Sequence, residues 1–302
     1  MGRTYCENGK LNLYEYEPSI VAAVIFAVIF AALTAGHVFR MIRSRQWFLT
    51  ALVVGGGFEI VGFVIRITGH NDPCVRITYI LQTVLILIAP AIFSATIYMI
   101  LGRTVRAIQG DALSPIRPTR LTKIFVAGDV LCFFVQGGGG GILSSADNDK
   151  TKANLGKYVI LAGLALQIVL FGLFIIVALI FHSRIRKQPT PKSTRPEIQW
   201  QTMLHVLYGV SLLIMVRNLF RVVEYGLGRD GYLLSHEWPL YVFDAALMSL
   251  VMAALLWWFP TMIRPKEVYG MDDLEPRPTV NGSPGYQQSP SPASSHQPHL
   301  QK

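Results

Sequence analysis

Three charged residues stand in an otherwise mostly apolar stretch of the chain and share one helical face. Arg217, Arg221 and Glu224 are spaced i, i+4 and i+7, and residues with that spacing line up along one side of a helix. Guanidinium groups bind carboxylates and phosphates, and carboxylates bind cations such as protonated amines. The spacing therefore predicts a charged strip that can hold an ionic or amphiphilic ligand.

Glu59, Gly62 and Arg66 form a second strip of the same kind, with the spacing i, i+3 and i+7. An ionisable group inside a membrane costs several kcal/mol unless it faces the protein interior and finds a partner. We therefore expect these groups to point inward and to pair. The residues predicted to bind ligand are Glu59, Arg66, Gln82, Asp129, Gln136, Gln167, Arg217, Arg221, Glu224 and Asp244.

The composition shows what must position these residues. The 302 residues are 52% hydrophobic and 15% charged, whereas soluble domains are about 25% charged. A bilayer core is crossed by about 20 helical residues, and irregular backbone cannot face lipid. The predicted fold is therefore an all-α membrane protein, a seven-transmembrane helix bundle. Its helices are predicted at about 18–40, 47–69, 75–101, 121–143, 157–182, 200–226 and 238–263.

The basic residues predict how the bundle is oriented. With the N-terminus outside, the inner connections carry more than twice as many Lys and Arg residues as the outer segments, as the positive-inside rule requires. We expect residues 1–17 to be an extracellular segment and residues 264–302, which are rich in Pro and Ser, to be a disordered cytosolic tail. The charges are divided among loops, so no nucleic-acid partner is expected.

In this topology at least five helices place polar groups between the midplane and the outer face. The pattern predicts one polar chamber open toward the outer leaflet. The alternative is a set of interhelical ion pairs that only hold the bundle together. The glycine run 137–141 allows two readings at the same level, a pliable wall of the chamber or a frayed helix end. Gly55, Gly56 and Gly57 are expected to serve close helix packing.

Cysteine and histidine usage limits the other chemistry. Cys6 and Cys74 both fall outside, where an oxidising environment permits a disulfide between them; two independent thiols are the alternative. A zinc hydrolase needs about three clustered ligands, yet only His205 among the histidines lies well inside a span. We therefore expect no metal site, no cofactor and no enzymatic activity.

Taken in order along residues 14–263, these motifs resemble the fungal lipid-translocating exporter family, the RTA-like seven-helix membrane proteins. Each motif alone is weak, but the ordered set is fairly specific. It comprises Tyr14-Glu-Tyr-Glu-Pro18, Glu59-x-x-Gly62-x-x-x-Arg66, Leu87-Ile-Ala-Pro90, Tyr98, Leu101-Gly-Arg103, Asp129, Gln136-Gly-Gly-Gly, Gln167, Arg217-x-x-x-Arg221-x-x-Glu224, Glu237, Tyr241 and Asp244.

The resemblance implies a multi-pass protein of a fungal membrane, most simply the plasma membrane. It also implies handling of sphingoid long-chain bases, resistance to toxic amphiphiles and, in one branch, porphyrin uptake. We expect the chain to bind and translocate amphiphilic lipids, or to regulate their translocation. Its partners would be membrane lipids or amphiphilic small molecules, and no oligomeric state is indicated. The alternative is a seven-helix receptor or sensor without transport, although Leu101-Gly-Arg103 stands where a G-protein-coupled receptor carries Asp-Arg-Tyr.

Overall fold

The computed structural model describes residues 19–71, 76–145, 149–194, 199–227 and 236–258. Seven long helices account for most of these residues. They are α1 (Ile20–Ser44), α2 (Thr50–Asn71), α3 (Arg76–Ala107), α4 (Pro118–Ser144), α5 (Lys150–Lys187), α6 (Trp200–Leu227) and α7 (Trp238–Trp257). We call the end of the bundle at which α2, α4 and α6 finish the outer end, after the predicted topology.

Local sequence explains where several helices begin. The side chain of Ser19 accepts a hydrogen bond from the backbone N–H of Ala22 and caps α1. Asp149 caps α5 by accepting from the N–H groups of Thr151 and Lys152. Pro118 occupies the first position of α4, where its missing N–H would have no intrahelical partner. These caps fix the ends of the helices that carry the polar residues.

The helices form a closed ring in chain order, in which α7 packs against both α6 and α1. The third helix also packs against α6 across the ring, and it is the most buried of the seven. It contributes Phe93, Ile97 and Leu101, which are fully buried, to the apolar core. Polar side chains on the other helices must therefore be arranged around α3.

The surface of the bundle is apolar, whereas many of its polar side chains are buried. Val21, Val28 and Phe134 are at least 62% exposed, while Glu59 and Arg217 are 1% exposed. This reversal of the soluble pattern suits a surface in contact with lipid tails. All seven helices are long and apolar enough to cross a membrane. The predicted fold class is confirmed, and the orientation of the termini stays a prediction.

Three helix boundaries differ from those expected. Helix α3 continues to Ala107 and α5 runs from Lys150 to Lys187, because charged ends extend beyond the apolar block that hydropathy detects. The glycine run 137–141 is helical throughout, since α4 ends only at Ser144. The expectation of a frayed helix end at these glycines is wrong.

Glycine permits close approach at three interfaces. A Cβ on Gly139 of α4 would lie 2.9 Å from the backbone oxygen of Gly156 on α5. A Cβ on Gly55 of α2 would lie 3.2 Å from the backbone oxygen of Ala89 on α3, and 2.6 Å from the ring of Phe93. The expected role in close helix packing is confirmed for Gly55 and for Gly56, where a Cβ would clash with Oγ1 of Thr34 on α1, and it is wrong for Gly57, where a Cβ meets nothing within 4 Å. Gly137 and Gly138 face open space.

The seventh helix is not uniformly α-helical. Its first turn, Trp238–Leu240, is followed by a π-helical stretch, Tyr241–Ala246, and α-helix resumes over Leu247–Trp257. Wide π turns occur frequently at functional sites. Tyr241 and Asp244 lie within this stretch and are both buried, so the irregular part of α7 carries two of the residues considered next.

Candidate functional site

A buried network of charges joins α6 to α7 at their outer halves. Nε of Arg217 donates to Oδ1 of Asp244 over 2.6 Å, and Nη2 of Arg221 donates to Oδ2 of the same carboxylate. Nη1 of Arg221 also donates to Oε2 of Glu224 over 2.8 Å. One carboxylate on α7 therefore binds two guanidinium groups on α6, and both of its oxygens are used.

A further acid lies beside this network and takes no hydrogen bond from it. Glu59 on α2 is 1% exposed, and neither of its carboxylate oxygens has a hydrogen-bond partner among the residues that the structure describes. Arg217, Arg221 and Asp244 are close enough to interact with it electrostatically. We call Glu59, Arg217, Arg221, Glu224 and Asp244 the arginine cluster. It holds three carboxyl groups but only two guanidinium groups.

Backbone contacts hold the arginine cluster against α3. Nη2 of Arg217 donates to the carbonyl oxygen of Ile86 over 3.4 Å, and Nη1 donates to Oδ1 of Asn218 over 3.5 Å. Each of the three guanidinium nitrogens of Arg217 therefore donates to an acceptor. These contacts place the Arg217 side chain between α3 and α7, where it meets Asp244.

A second polar group lies nearer the outer end and joins α1, α2 and α7. Nη2 of Arg66 donates to Oε1 of Glu237 over 2.8 Å, and Nε of Arg66 donates to the hydroxyl of Tyr241 over 3.2 Å. The Tyr241 hydroxyl donates to Oε1 of Glu237 over 2.8 Å. The backbone N–H of Ser19 lies 2.9 Å from both oxygens of Glu237. This group ties the start of α1 to the start of α7.

Aromatic rings connect this group to the core of the bundle. The ring of Tyr241 stacks on Phe26 of α1 at 5.4 Å between centroids and lies 6.2 Å from the ring of Phe63 on α2. Arg66 lies 5.6 Å from the centroid of the Tyr241 ring. The stacked rings thus pack α1, α2 and α7 together beside the Arg66 contacts.

The polar residues of α4 and α5 pair elsewhere. The hydroxyl of Tyr98 on α3 donates to Oδ2 of Asp129 over 2.9 Å, and Nε2 of Gln136 donates to Oε1 of Gln167 over 2.9 Å. Gln82 is buried, and its Oε1 has no hydrogen-bond partner within the described ranges.

The expectation of one shared chamber is therefore wrong in part. Only α2, α6 and α7 bring charged side chains to the arginine cluster. The α4 and α5 groups form separate pairs because α3 packs against α4 on one side and α6 on the other. Among the ten residues predicted to bind ligand, Glu59, Arg217, Arg221, Glu224 and Asp244 come together. Their role in binding stays a prediction.

The residues predicted to bind ligand did not include Glu237 and Tyr241, which were named only among the family motifs and which the structure places beside Arg66. A signal was present, because Glu237, Tyr241 and Asp244 repeat the i, i+4, i+7 spacing of Arg217, Arg221 and Glu224. Tyr98, the partner of Asp129, had no comparable signal, since a tyrosine in an apolar helix is usually only a packing residue.

An apolar pocket lies toward the other end of the same helices. Its lining includes Ile97 of α3, Met203 and Leu207 of α6 and Leu255 of α7, and its surface is entirely apolar. Leu207 and Arg217 are ten positions apart on α6, which corresponds to about 15 Å along the helix. Helices that carry the arginine cluster thus also line a small apolar cavity, about the size of a water molecule.

The remaining expectations concern a metal site and the cysteines. In the part of the chain that the structure describes, no group of three or more His, Cys, Asp or Glu side chains is placed to hold a metal ion. Cys132 is buried and free. Cys6 and Cys74, the predicted disulfide pair, lie outside the described residues.

Comparisons with known proteins give consistent matches along most of the chain. The family described as RTA1 like protein matches residues 52–267. Protein RTA1 of Saccharomyces cerevisiae is 34% identical over 82% of this chain and 85% of its own length. Protoporphyrin uptake protein 1 of the same yeast is 33% identical over 80% of this chain and 90% of its own length. The sphingoid long-chain base transporter RSB1 of Saccharomyces cerevisiae is 25% identical over 80% of this chain and 72% of its own length. No solved structure gives a match.

Proposed function

The chain belongs to the RTA1-like family of multi-pass membrane proteins, and from this premise we propose that it binds an amphiphilic lipid with a cationic amine and moves it through the membrane. Sphingoid long-chain bases are the ligand class that fits best. Glu59 would receive the amine, and the hydrocarbon tail would lie among α3, α6 and α7. The protein would act at the plasma membrane as a transporter and not as an enzyme.

The observation that carries this proposal is the unpaired carboxylate of Glu59. A buried carboxylate is costly without a partner, and Glu59 accepts no hydrogen bond from any described residue. A primary ammonium group supplies three N–H donors and one positive charge. Its binding would balance the third carboxyl group of the arginine cluster and satisfy both Glu59 oxygens.

The remaining charges would keep the site organised. Asp244 already binds Arg217 and Arg221, and Glu224 binds Arg221, so these acids have less capacity for a ligand than Glu59. The same pairing leaves the guanidinium groups little capacity for an anionic headgroup beyond Nε of Arg221, the one donor of the pair without a hydrogen-bond partner among the described residues. An amine therefore suits the cluster better than a phosphate or a carboxylate.

The name of one relative agrees with this ligand class. One relative is named as a transporter of sphingoid long-chain bases, and another is named for protoporphyrin uptake. The first name describes transport of this ligand class, and the second describes uptake of a different molecule. The proposed lipid-transport role rests on this similarity, on the excess carboxyl group of the arginine cluster and on the unpaired oxygens of Glu59.

A reconstituted assay tests the proposal. Purified protein would be inserted into liposomes with a fluorescent long-chain base, and binding and transbilayer movement would be measured. Glu59→Gln should weaken binding roughly 10- to 100-fold, because a hydrogen bond to a charged group contributes about 1.5–3 kcal/mol. Asp111→Asn, the same chemical change at an exposed aspartate, should leave binding unchanged.

A fatty alcohol of equal chain length separates the amine from the tail. It should bind wild type and Glu59→Gln protein equally, because it lacks the cation. Equal binding of the amine by both proteins would refute the role of Glu59. Binding by wild type without movement of the lipid would instead indicate the sensor alternative.

A further inference from the structure

Asp129 on α4 differs from the acids of the arginine cluster in its surroundings. It is 4% exposed, and Oδ2 accepts one hydrogen bond, from the hydroxyl of Tyr98 over 2.9 Å. Oδ1 has no partner in the described part of the chain. Asp244, in contrast, binds two arginines. Asp129 is therefore a buried carboxyl group without a counter-ion among the residues described.

Aromatic rings from α4 and α5 pack around Tyr98, the hydrogen-bond partner of this carboxyl group. The ring of Tyr98 lies 4.6 Å from Phe174, 5.4 Å from Phe125 and 6.1 Å from Phe171 between centroids. The titratable groups that face Asp129 are Tyr98 from α3 and Cys132 from α4 itself, and described residues of α5 add none. An ionised carboxylate is costly in such surroundings, and a proton on Oδ1 removes its charge.

Asp129 also lies in a polar stripe that follows α4. Thr122, Asp129 and Gln136 recur at seven-residue intervals, which places them on one face of the helix over a distance of about 20 Å. Oγ1 of Thr122 donates to the backbone oxygen of Tyr98 over 3.4 Å, and Gln136 donates to Gln167. Polar groups thus lie on both sides of Asp129 along the bundle.

We propose that Asp129 is a proton-carrying site that couples lipid movement to a proton gradient. The Asp129 carboxyl group binds one proton at Oδ1 from water on one side of the membrane and releases it to water on the other side. Only this O–H bond forms and breaks, so no other reactant is needed. The coupling rests on the proposed function, but the proton site does not.

Infrared spectroscopy of the purified protein tests the proton site without any transport assay. Wild type should show the carbonyl stretching band of a protonated carboxylic acid, and Asp129→Asn should lose that band. Asp111→Asn, which changes an exposed aspartate, should retain the band. Should the Asn variant fail to fold, Asp129→Glu keeps the titratable group and should shift the band. Identical spectra for wild type and folded Asp129 variants would overturn the proposal.

Liposome transport then tests the coupling. A pH difference across the membrane should change the rate at which wild type moves a fluorescent long-chain base. Asp129→Asn should lose this response while its binding of the base at Glu59 is retained. If a pH difference of either sign leaves the wild-type transport rate unchanged, the coupling is overturned but the proposed function is not. A wild type that moves no base would overturn both, and the infrared band would still decide the proton site.

Discussion

Arg217 on α6 and Asp244 on α7 form an ion pair of 2.6 Å in which the two side chains are 1% and 2% exposed. An ion pair so deeply buried contributes little net stability over a well-packed apolar pair, but removing one partner leaves an uncompensated charge. The pair connects α6 to the π-helical stretch of α7. The arginine cluster therefore depends on both helices keeping their present contact.

Asp244→Asn should destabilise the protein strongly. The substitution removes the negative charge that two buried guanidinium groups share, and breaking such a pair costs about 3–5 kcal/mol. Thermal unfolding of the purified protein in detergent would show a lower transition temperature. Asp111→Asn should lie within about 0.5 kcal/mol of wild type, as is usual for exposed positions. Equal transition temperatures for the two variants would contradict the pairing.

Glu59→Gln should leave the free energy of unfolding unchanged or raise it. No hydrogen bond of the folded protein is lost from the described residues, and a buried carboxyl group is replaced by a neutral amide of the same shape. The same thermal measurement compares this variant with Asp244→Asn. A loss of stability as large as that of Asp244→Asn would show that Glu59 is a structural ion-pair partner.

Glu237→Gln should loosen the start of α1. The carboxylate of Glu237 binds Arg66 and accepts from the backbone N–H of Ser19, and hydrogen bonds to charged groups contribute about 1.5–3 kcal/mol. Hydrogen exchange at the first amides of α1 should accelerate. Tyr241→Phe, which leaves the Arg66–Glu237 pair intact, should accelerate it less. Unchanged exchange in Glu237→Gln would refute the connection.

Two neighbouring glycines of α4 should respond oppositely to alanine. Gly139→Ala would place a Cβ 2.9 Å from backbone atoms of α5, and such overpacking costs about 1–3 kcal/mol. Gly138→Ala meets nothing within 4 Å and should stabilise the helix by about 0.5–1 kcal/mol. Thermal unfolding compares the two variants directly. A shift of the same sign in both would contradict the α4–α5 contact.

Hydropathy and spacing predicted much of this arrangement. Long apolar blocks indicated seven helices, because membrane spans have a minimum length. The i, i+4, i+7 spacing of Arg217, Arg221 and Glu224 predicted one buried strip, and all three residues are at most 7% exposed. The length of each helix follows from the need to cross the hydrocarbon core, and the inward face of the charged strip follows from the need to avoid hydrocarbon. Both requirements act within a single helix.

Partners across helices could not be predicted in this way. Spacing placed Glu59 and Arg66 on one strip, but Arg66 pairs with Glu237 whereas Glu59 remains without a hydrogen-bond partner among the described residues. Asp129 was assigned to the same chamber, yet it contacts Tyr98 instead. These outcomes depend on the position of α3 and on the π turn of α7, which single-helix patterns do not encode.

The unequal number of acids and bases in the arginine cluster has an electrical consequence. With all five groups ionised, the empty cluster carries one uncompensated negative charge, and an occupied cluster that has taken up one cation carries none. Moving one elementary charge across a membrane changes the energy by about 2.3 kcal/mol per 100 mV. On the proposed function, the membrane potential therefore acts on the net charge of the cluster when Glu59 is ionised and no cation is bound. When one cation is bound, the cluster has no net charge on which the potential can act.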